Sequence, residues 1–300
     1  MTETESQRTF LPRVGRDTDH TEIGDLLAEH GAVIVEGLLP PEVVAAVNTE
    51  VDGAVAAADT DLAIYNAAVD AFHGEATKHV SGLAAKSRTF ATEVMVHPLY
   101  RSLCDRFLTW GVLEKLGLGR TEWMLNLGHM IVRGPGGEAQ MLHRDEDVWM
   151  DMPYPRGGQL QLASMLAFVD FTEENGATRL IPRSHLWPGA AQPLTERTEQ
   201  LADADVVFAE MPAGSALVYF GTTVHGGGAN TTDDVWRRGV HLSFTLSWLR
   251  TEENNYLAVP PDVARTLPLE CQKVLGYGSA GLVGAVDLQD PLDLLASGRL

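Results

Sequence analysis

Basic charge is scarce in this chain. Its 300 residues hold 22 Lys and Arg against 41 Asp and Glu, a net charge of −19. Phosphate backbones are gripped by clustered Lys and Arg, so the balance speaks against nucleic acid as a partner. Cysteine is scarcer still. Cys104 and Cys271 stand far apart and form no disulfide framework, which fits a reduced, cytoplasmic protein. No apolar run reaches the roughly 18 residues that a membrane span needs, so no membrane partner is expected. The opening residues, Met1-Thr2-Glu3-Thr4-Glu5-Ser6, lack the basic start and apolar stretch of a secretory signal. There is neither an internal repeat nor a low-complexity linker. What is plentiful is apolar content, at 45%, enough for one sizeable core.

The order of elements narrows the fold. Residues 1–18 are polar, with Pro12 and Gly15, and read as a loose arm ahead of a single domain over 19–300. Thr21–His30 has helical signals, with Asp19 or Thr21 as N-cap. Ala32–Gly37 reads as a short strand. Pro40-Pro41-Glu42 opens a helix to about Ala57, with Val43, Val44, Val47 and Val51 on one face. Leu99–Leu116 reads as another helix. From Glu122 onward the period changes to strands: Trp123–Arg133, Gln159–Phe171, Val206–Ala209, Ser215–Phe220 and Val240–Trp248. Gly- and Pro-containing turns separate them. Helices followed by evenly spaced strands point to a mainly β protein with flanking helices, a double-stranded β-helix of the jelly-roll or cupin type.

One constellation carries chemistry. His143-Arg144-Asp145 places an imidazole and a carboxylate two residues apart, and His225 lies far downstream. On a strand, residues i and i+2 share a face, so His143 and Asp145 would point into a barrel while Arg144 points out. His225 would close the triangle from a neighbouring strand. Two His and one carboxylate on one side of an ion is how non-haem Fe(II) oxygenases hold their metal, leaving open positions opposite. Iron is expected rather than zinc if the open positions take a 2-oxo acid and O₂, because that cycle needs a redox change that zinc lacks.

Three segments then carry a family resemblance: His143-Arg144-Asp145, the run Asn175-Gly176-Ala177-Thr178-Arg179-Leu180-Ile181-Pro182-Arg183-Ser184-His185, and His225 with the basic pair Arg237-Arg238. Together they resemble the phytanoyl-CoA dioxygenase family of Fe(II)/2-oxoglutarate-dependent oxygenases, over about Thr21 to Val274. Arg183 stands where that family usually has Gly. Within the family, Phe171–Thr178 and the Gly-rich run after His225 are closest to the natural-product tailoring branch, of the fumitremorgin B endoperoxidase type. The resemblance implies Fe(II), 2-oxoglutarate as cosubstrate and O₂. It implies oxidation of a lipophilic small molecule in secondary metabolism, by hydroxylation, desaturation or rearrangement. The carboxylate at Asp145 argues against halogenating relatives, which have a small residue there.

An oxo acid needs a cation for its distal carboxylate. Strand alternation lets only one of Arg237 and Arg238 point inward. With Arg237 inside, Gly239, His241 and Ser243 share its face, and Val240, Leu242, Phe244 and Leu246 meet covering helices. Arg237 is favoured, and Arg238 is the alternative. The resemblance adds Gln140 and Thr223 as residues that help hold the oxo acid. His79, in a segment read as a loop, stands near a reactive Tyr of the endoperoxidase type and is a candidate substrate contact or a surface His without a role. Trp149, Met150 and Met152 are candidates for an apolar substrate pocket. His129, His185 and His241 are taken as structural or supporting. The branch also implies a homodimer. Its C-terminal segment, 257–300, would serve as interface or lid, because clusters such as Val274–Tyr277 and Leu292–Leu295 need covering. The rival readings are an acyl-CoA or carrier-bound acyl hydroxylase and, from another class, a non-oxidative cupin-like isomerase or hydrolase.

Overall fold

Asp19 caps the first helix, α1 (His20–His30), its carboxylate accepting from the Thr21 amide at 2.8 Å. Gly31 ends the helix at φ 77°, a left-handed backbone that favours glycine. The computed structural model describes residues 10–60, 72–74, 76–109, 123–149, 158–187, 201 and 204–300. Helix α2 (Pro41–Ala57) carries proline in its first turn and buries Val44, Val47, Val51 and Val55 along one stripe. Helix α3 (Pro98–Phe107) buries Leu99, Tyr100, Leu103 and Cys104. The helix expected over Leu99–Leu116 therefore ends at Phe107, and residues 110–116 lie outside the described residues. Among the described residues, no helix is long and apolar enough to cross a membrane.

Among the described residues, ten strands follow one another: β1 (Arg13–Gly15), β2 (Ala32–Glu36), β3 (Thr77–Val80), β4 (Trp123–Arg133), β5 (Gln161–Ala167), β6 (Arg179–Leu180), β7 (Val207–Phe208), β8 (Ala216–Phe220), β9 (His225–Gly226) and β10 (Arg237–Leu246). Seven of them form one sheet in the order β1-β2-β8-β5-β10-β4-β3, and three form a second in the order β7-β6-β9. Every pair but β1–β2 is antiparallel. This is the mainly β, helix-flanked architecture of a double-stranded β-helix.

Side-chain alternation divides the molecule into two apolar regions. Val33 and Val35 of β2, Leu162 and Leu166 of β5, and Val240, Leu242, Phe244 and Leu246 of β10 pack against α1, α2 and α3. Ala32, Ile34, Ala163, Met165, Ala167, Leu217 and Tyr219 face the other way and meet Leu180 of the second sheet. Both faces of the central strands are thus buried, which is why β5 reads as an unbroken apolar run.

Three expectations change here. Residues 10–18 are not a loose arm: Arg13–Gly15 pairs in parallel with Ile34–Glu36, and Arg13 meets Glu36 at 2.9 Å. This pairing is non-local, so local polarity gives no sign of it. His79 lies on edge strand β3, paired with Ile131, rather than in a loop. Val274, Leu275, Tyr277 and Leu295 are buried in the helix-side core of their own domain, so they need no second subunit. Leu257, Leu282 and Leu288, at 78%, 76% and 89% exposed, are among the apolar residues that the C-terminal segment leaves outside.

Candidate metal centre

Two histidines far apart in sequence meet through their backbones. The His143 amide donates to the His225 carbonyl at 2.8 Å, and the His225 amide donates back to the His143 carbonyl at 3.0 Å. This closed antiparallel pair sends both side chains to one face, with ring centroids 4.5 Å apart. Each ring is then tied a second time. His143 Nδ1 lies 3.0 Å from the Met141 carbonyl, and His225 Nδ1 lies 3.0 Å from the Thr223 carbonyl. A carbonyl can only accept, so both Nδ1 atoms carry a proton, and Nε2 is the nitrogen that each ring offers to a metal. Bare Nε2 with a tethered Nδ1–H is the form in which imidazole binds a metal.

Asp145 completes the set by a different route from the one its spacing implies. It is not on a strand with His143 but opens a 3-10 turn, Asp145–Trp149. Its Oδ1 lies 3.4 Å from His143 Nε2 and 3.4 Å from His225 Nε2. The ligand atoms of all three residues lie within 4.8 Å of one another. Donors about 2.1 Å from one octahedral ion stand about 3 Å apart, so the triangle is close to the size that a small divalent cation needs. Burial would raise the Asp145 carboxyl, but the His225, His143 and His241 imidazoles outweigh it and hold it well below its ordinary range. Burial brings His225 down to about 4, even against the pull of Asp145. Near neutral pH the site therefore holds one carboxylate and an unprotonated His225. Asp145 Oδ2 is buried without a hydrogen-bond partner among the described residues. The donor set fits a divalent metal.

Arg237 and Arg238 separate cleanly. Arg238 Nη1 meets Asp52 at 2.6 Å and Asn48 at 3.3 Å, both on α2. Arg237 is 2% exposed, its guanidinium stacks on Phe171 at 4.6 Å, and its Nε and Nη1 are buried without a partner among the described residues. Gly239 makes the room. A Cβ there would sit 2.8 Å from Arg237 Nη1, so the arginine folds along β10 over the glycine toward His241. Burial, with the charge of Arg133 on the paired position of β4, lowers Arg237 to about 9. A guanidinium still keeps its proton at neutral pH. What this buried cation lacks, among the described residues, is an anion.

The remaining candidates fall in several places. Gln140 Oε1 accepts from the Gly227 amide at 2.8 Å and so ties the stretch before His143 to the stretch after His225. The Thr223 hydroxyl donates to the Gly31 carbonyl at 2.7 Å. Trp149 packs against the helix-side core and donates to the Arg250 carbonyl at 3.0 Å. Met150 and Met152 lie outside the described residues. His79 Nδ1 lies 3.1 Å from His129 Nε2, and its ring is 4.4 Å from that of His73. Two residues that motif reading left aside do reach the site. His241 Nε2 lies 3.5 Å from Asp145 Oδ2, and the Tyr219 hydroxyl lies 3.3 Å from that same nitrogen. For His241 the signal was available, since alternation puts it on the face of Arg237.

The His79–His129 pair has a consequence for acid stability. Burial first, and then neighbouring positive charge, lowers His79 to about 3 and His129 well below its ordinary value. An unfolded imidazole takes its proton near pH 6.5. His79 therefore contributes stability that is fully present above about pH 6.5 and is lost as pH falls toward 3, and His129 acts in the same direction. Each such group costs up to about 1.4 kcal/mol per pH unit in that window. The melting temperature of the metal-free chain is expected to fall from pH 7 to pH 5, and less steeply in a His79→Gln/His129→Gln variant. Parallel melting curves for the two proteins would refute the assignment.

Comparison with known proteins agrees with this geometry. The family model described as phytanoyl-CoA dioxygenase (PhyH) matches residues 27–239. Dioxygenase aneA of Aspergillus aculeatus is 31% identical over 285 residues, covering 94% of this chain and 91% of that protein. The multifunctional dioxygenase ausE of Penicillium brasilianum is 34% identical, covering 84% and 81%. Among solved structures, the non-heme alpha-ketoglutarate-dependent epimerase SnoN from nogalamycin biosynthesis superposes with a TM-score of 0.55 at 19% identity, covering 76% of this chain and 83% of that one. HygX from Streptomyces hygroscopicus, solved with nickel and 2-oxoglutarate, gives 0.55 at 14% identity, covering 76% and 88%. The two structures show a shared fold, and the match over residues 27–239 with relatives above 30% identity shows descent: the chain belongs to the phytanoyl-CoA dioxygenase family.

Proposed function

We propose that this chain is an Fe(II)- and 2-oxoglutarate-dependent dioxygenase that oxidises a lipophilic small molecule of secondary metabolism. One observation carries the reading: two backbone-tied imidazoles and a carboxylate converge on one point, while a buried guanidinium without an anion lies on the adjoining inner face. His143 Nε2, Asp145 Oδ1 and His225 Nε2 would hold the metal on one side. Arg237 would take the distal carboxylate of the oxo acid, a charge-assisted pair that a non-oxidative hydrolase or isomerase, which takes no oxo acid, has no use for. Bound iron, with O₂ and the oxo acid, supplies the power to oxidise an unactivated C–H bond, and the cosubstrate leaves as succinate and CO₂. The chain's own part is orientation. Tethered Nδ1–H groups fix the two rings, Gly239 lets Arg237 reach inward, and Phe72 covers His143 with ring centroids 4.7 Å apart.

The relatives are named dioxygenases, and the descriptions of SnoN and HygX name natural products, which supports small-molecule oxidation. A panel of lipophilic metabolites and acyl-CoA thioesters, assayed for substrate-coupled succinate release, tests the substrate class. Coupling with the lipophilic metabolites is expected. Coupling with acyl-CoAs alone would promote the acyl hydroxylase reading. Two finer proposals accompany this one. Cys104 and Cys271 are buried free thiols, which supports a reducing, cytoplasmic setting; a chain recovered with the oxidised particulate fraction would count against it. Exposed Leu257, Leu282 and Leu288 in the C-terminal segment support a homodimer. Light scattering at micromolar concentration is expected to give twice the chain mass, and a monomer rejects the dimer.

A further inference from the structure

Of the three residues that converge, Asp145 alone has no backbone tie on its side chain. His143 and His225 are each fixed by a ring N–H on a carbonyl and by their mutual bridge. Asp145 opens a 3-10 turn, where no ladder sets how its carboxylate turns. Its two oxygens have different surroundings. Oδ1 faces both Nε2 atoms at 3.4 Å. Oδ2 is buried and without a hydrogen-bond partner among the described residues; His241 Nε2 lies 3.5 Å from it, and the Tyr219 hydroxyl also acts on this carboxylate.

The ring of His241 is itself held from several sides. The Tyr219 hydroxyl of β8 lies 3.3 Å from Nε2, and the two rings are stacked at 14° with centroids 6.5 Å apart. Tyr219 also lies against His225, centroid to centroid 4.4 Å. From β4, His129 sits directly opposite in register, its ring 6.2 Å away. None of this is needed for folding a strand, whose inner positions elsewhere on β5 are Ala163, Met165 and Ala167.

We propose that His241, fixed by Tyr219, is a positioning residue that holds Asp145 Oδ2 and so presents only Oδ1 to the metal. The inference rests on the metal centre proposed above. Its chemical sense is coordination number. A carboxylate can bind an ion through one oxygen or two. Binding through two would take a position that the oxo acid and O₂ require. An imidazole N–H on Oδ2 ties that oxygen down and leaves the far side of the ion open. Such outer hydrogen bonds change metal affinity by about ten- to a hundred-fold when removed.

The test uses the full chain, stripped by chelator and titrated with Co(II) alone, reading affinity by calorimetry and coordination by the visible Co(II) band. His241→Leu is expected to weaken Co(II) about ten- to a hundred-fold and to change the band. His241→Gln, whose amide N–H reaches the same place, is expected to recover affinity to within about threefold of the parent. Tyr219→Phe is expected to give a smaller loss in the same direction. Parent-like affinity and an unchanged band in His241→Leu would overturn the proposal. So would a loss as complete as that of His225→Ala, which would make His241 a ligand. If His241→Leu fails to fold, Tyr219→Phe decides, and an unchanged affinity and band there overturns the proposal. A parent chain that takes up no Co(II), or takes it up equally after His225→Ala, rejects the metal centre itself, a result distinct from a tight-binding parent with an indifferent His241→Leu.

Discussion

His143→Ala is expected to abolish metal-dependent turnover of 2-oxoglutarate. The substitution removes one of three donors and the ring that Phe72 packs against. A bound metal supplies several kcal/mol of the chemistry, so its loss lowers the rate by several powers of ten. The fold should survive. The bridge between residues 143 and 225 is made by backbone atoms, which alanine retains. Melting curves of the metal-free proteins should therefore nearly coincide, while metal content and succinate release collapse. Near-normal succinate release by this variant would sink the assignment of His143, Asp145 and His225.

Arg237→Ala is expected to raise the KM for 2-oxoglutarate about ten- to a hundred-fold, since a charge-assisted bidentate pair is worth about 1.5–3 kcal/mol. Arg238→Ala should change it little, because Arg238 is engaged with Asp52 and Asn48 on α2. A second readout has the opposite sign. Arg237 is a buried cation without an anion, so its removal should not lower the stability of the cosubstrate-free chain. Removal of Arg238 should lower it slightly, as surface pairs do. Arg237→Lys should restore only part of the affinity, because an ammonium cannot make two parallel bonds. If Arg238→Ala gives the larger rise in KM, the role passes to Arg238.

Much of the site was legible because period and chemistry agreed. On β10, Arg237, Gly239 and His241 alternate with Val240, Leu242 and Phe244, and the apolar set meets the helices as alternation requires. The change from helical to strand period near Glu122 gave the architecture. Asp145 was found for a reason that does not hold. The i, i+2 rule assumes a strand, whereas a 3-10 turn brings the carboxylate to the same point. β1 was missed because three residues with Gly at one end have no period of their own and pair only because β2 offers an edge. Tyr219 was missed because nothing local distinguishes it from the apolar run around it. Only the approach of β8 to β10, through β5, puts its hydroxyl beside His241. The roles expected of Gln140 and Thr223 came from resemblance, and the bonds that their side chains make here run to Gly227 and Gly31.

The backbone bridge between residues 143 and 225 has a thermodynamic reading. Bringing two distant points of a flexible chain together costs loop-closure entropy that grows with the logarithm of the separation. In an open chain, a metal gathering these imidazoles would carry that cost in its own binding constant. Here two peptide hydrogen bonds, which involve no ion, hold the same two points together. To the extent that these backbone bonds carry the closure, affinity for the ion reports ligand chemistry rather than chain ordering. By the same linkage, every factor by which the free ion exceeds its dissociation constant is returned as resistance to unfolding, a logarithmic reserve that a chelator removes without touching a single residue.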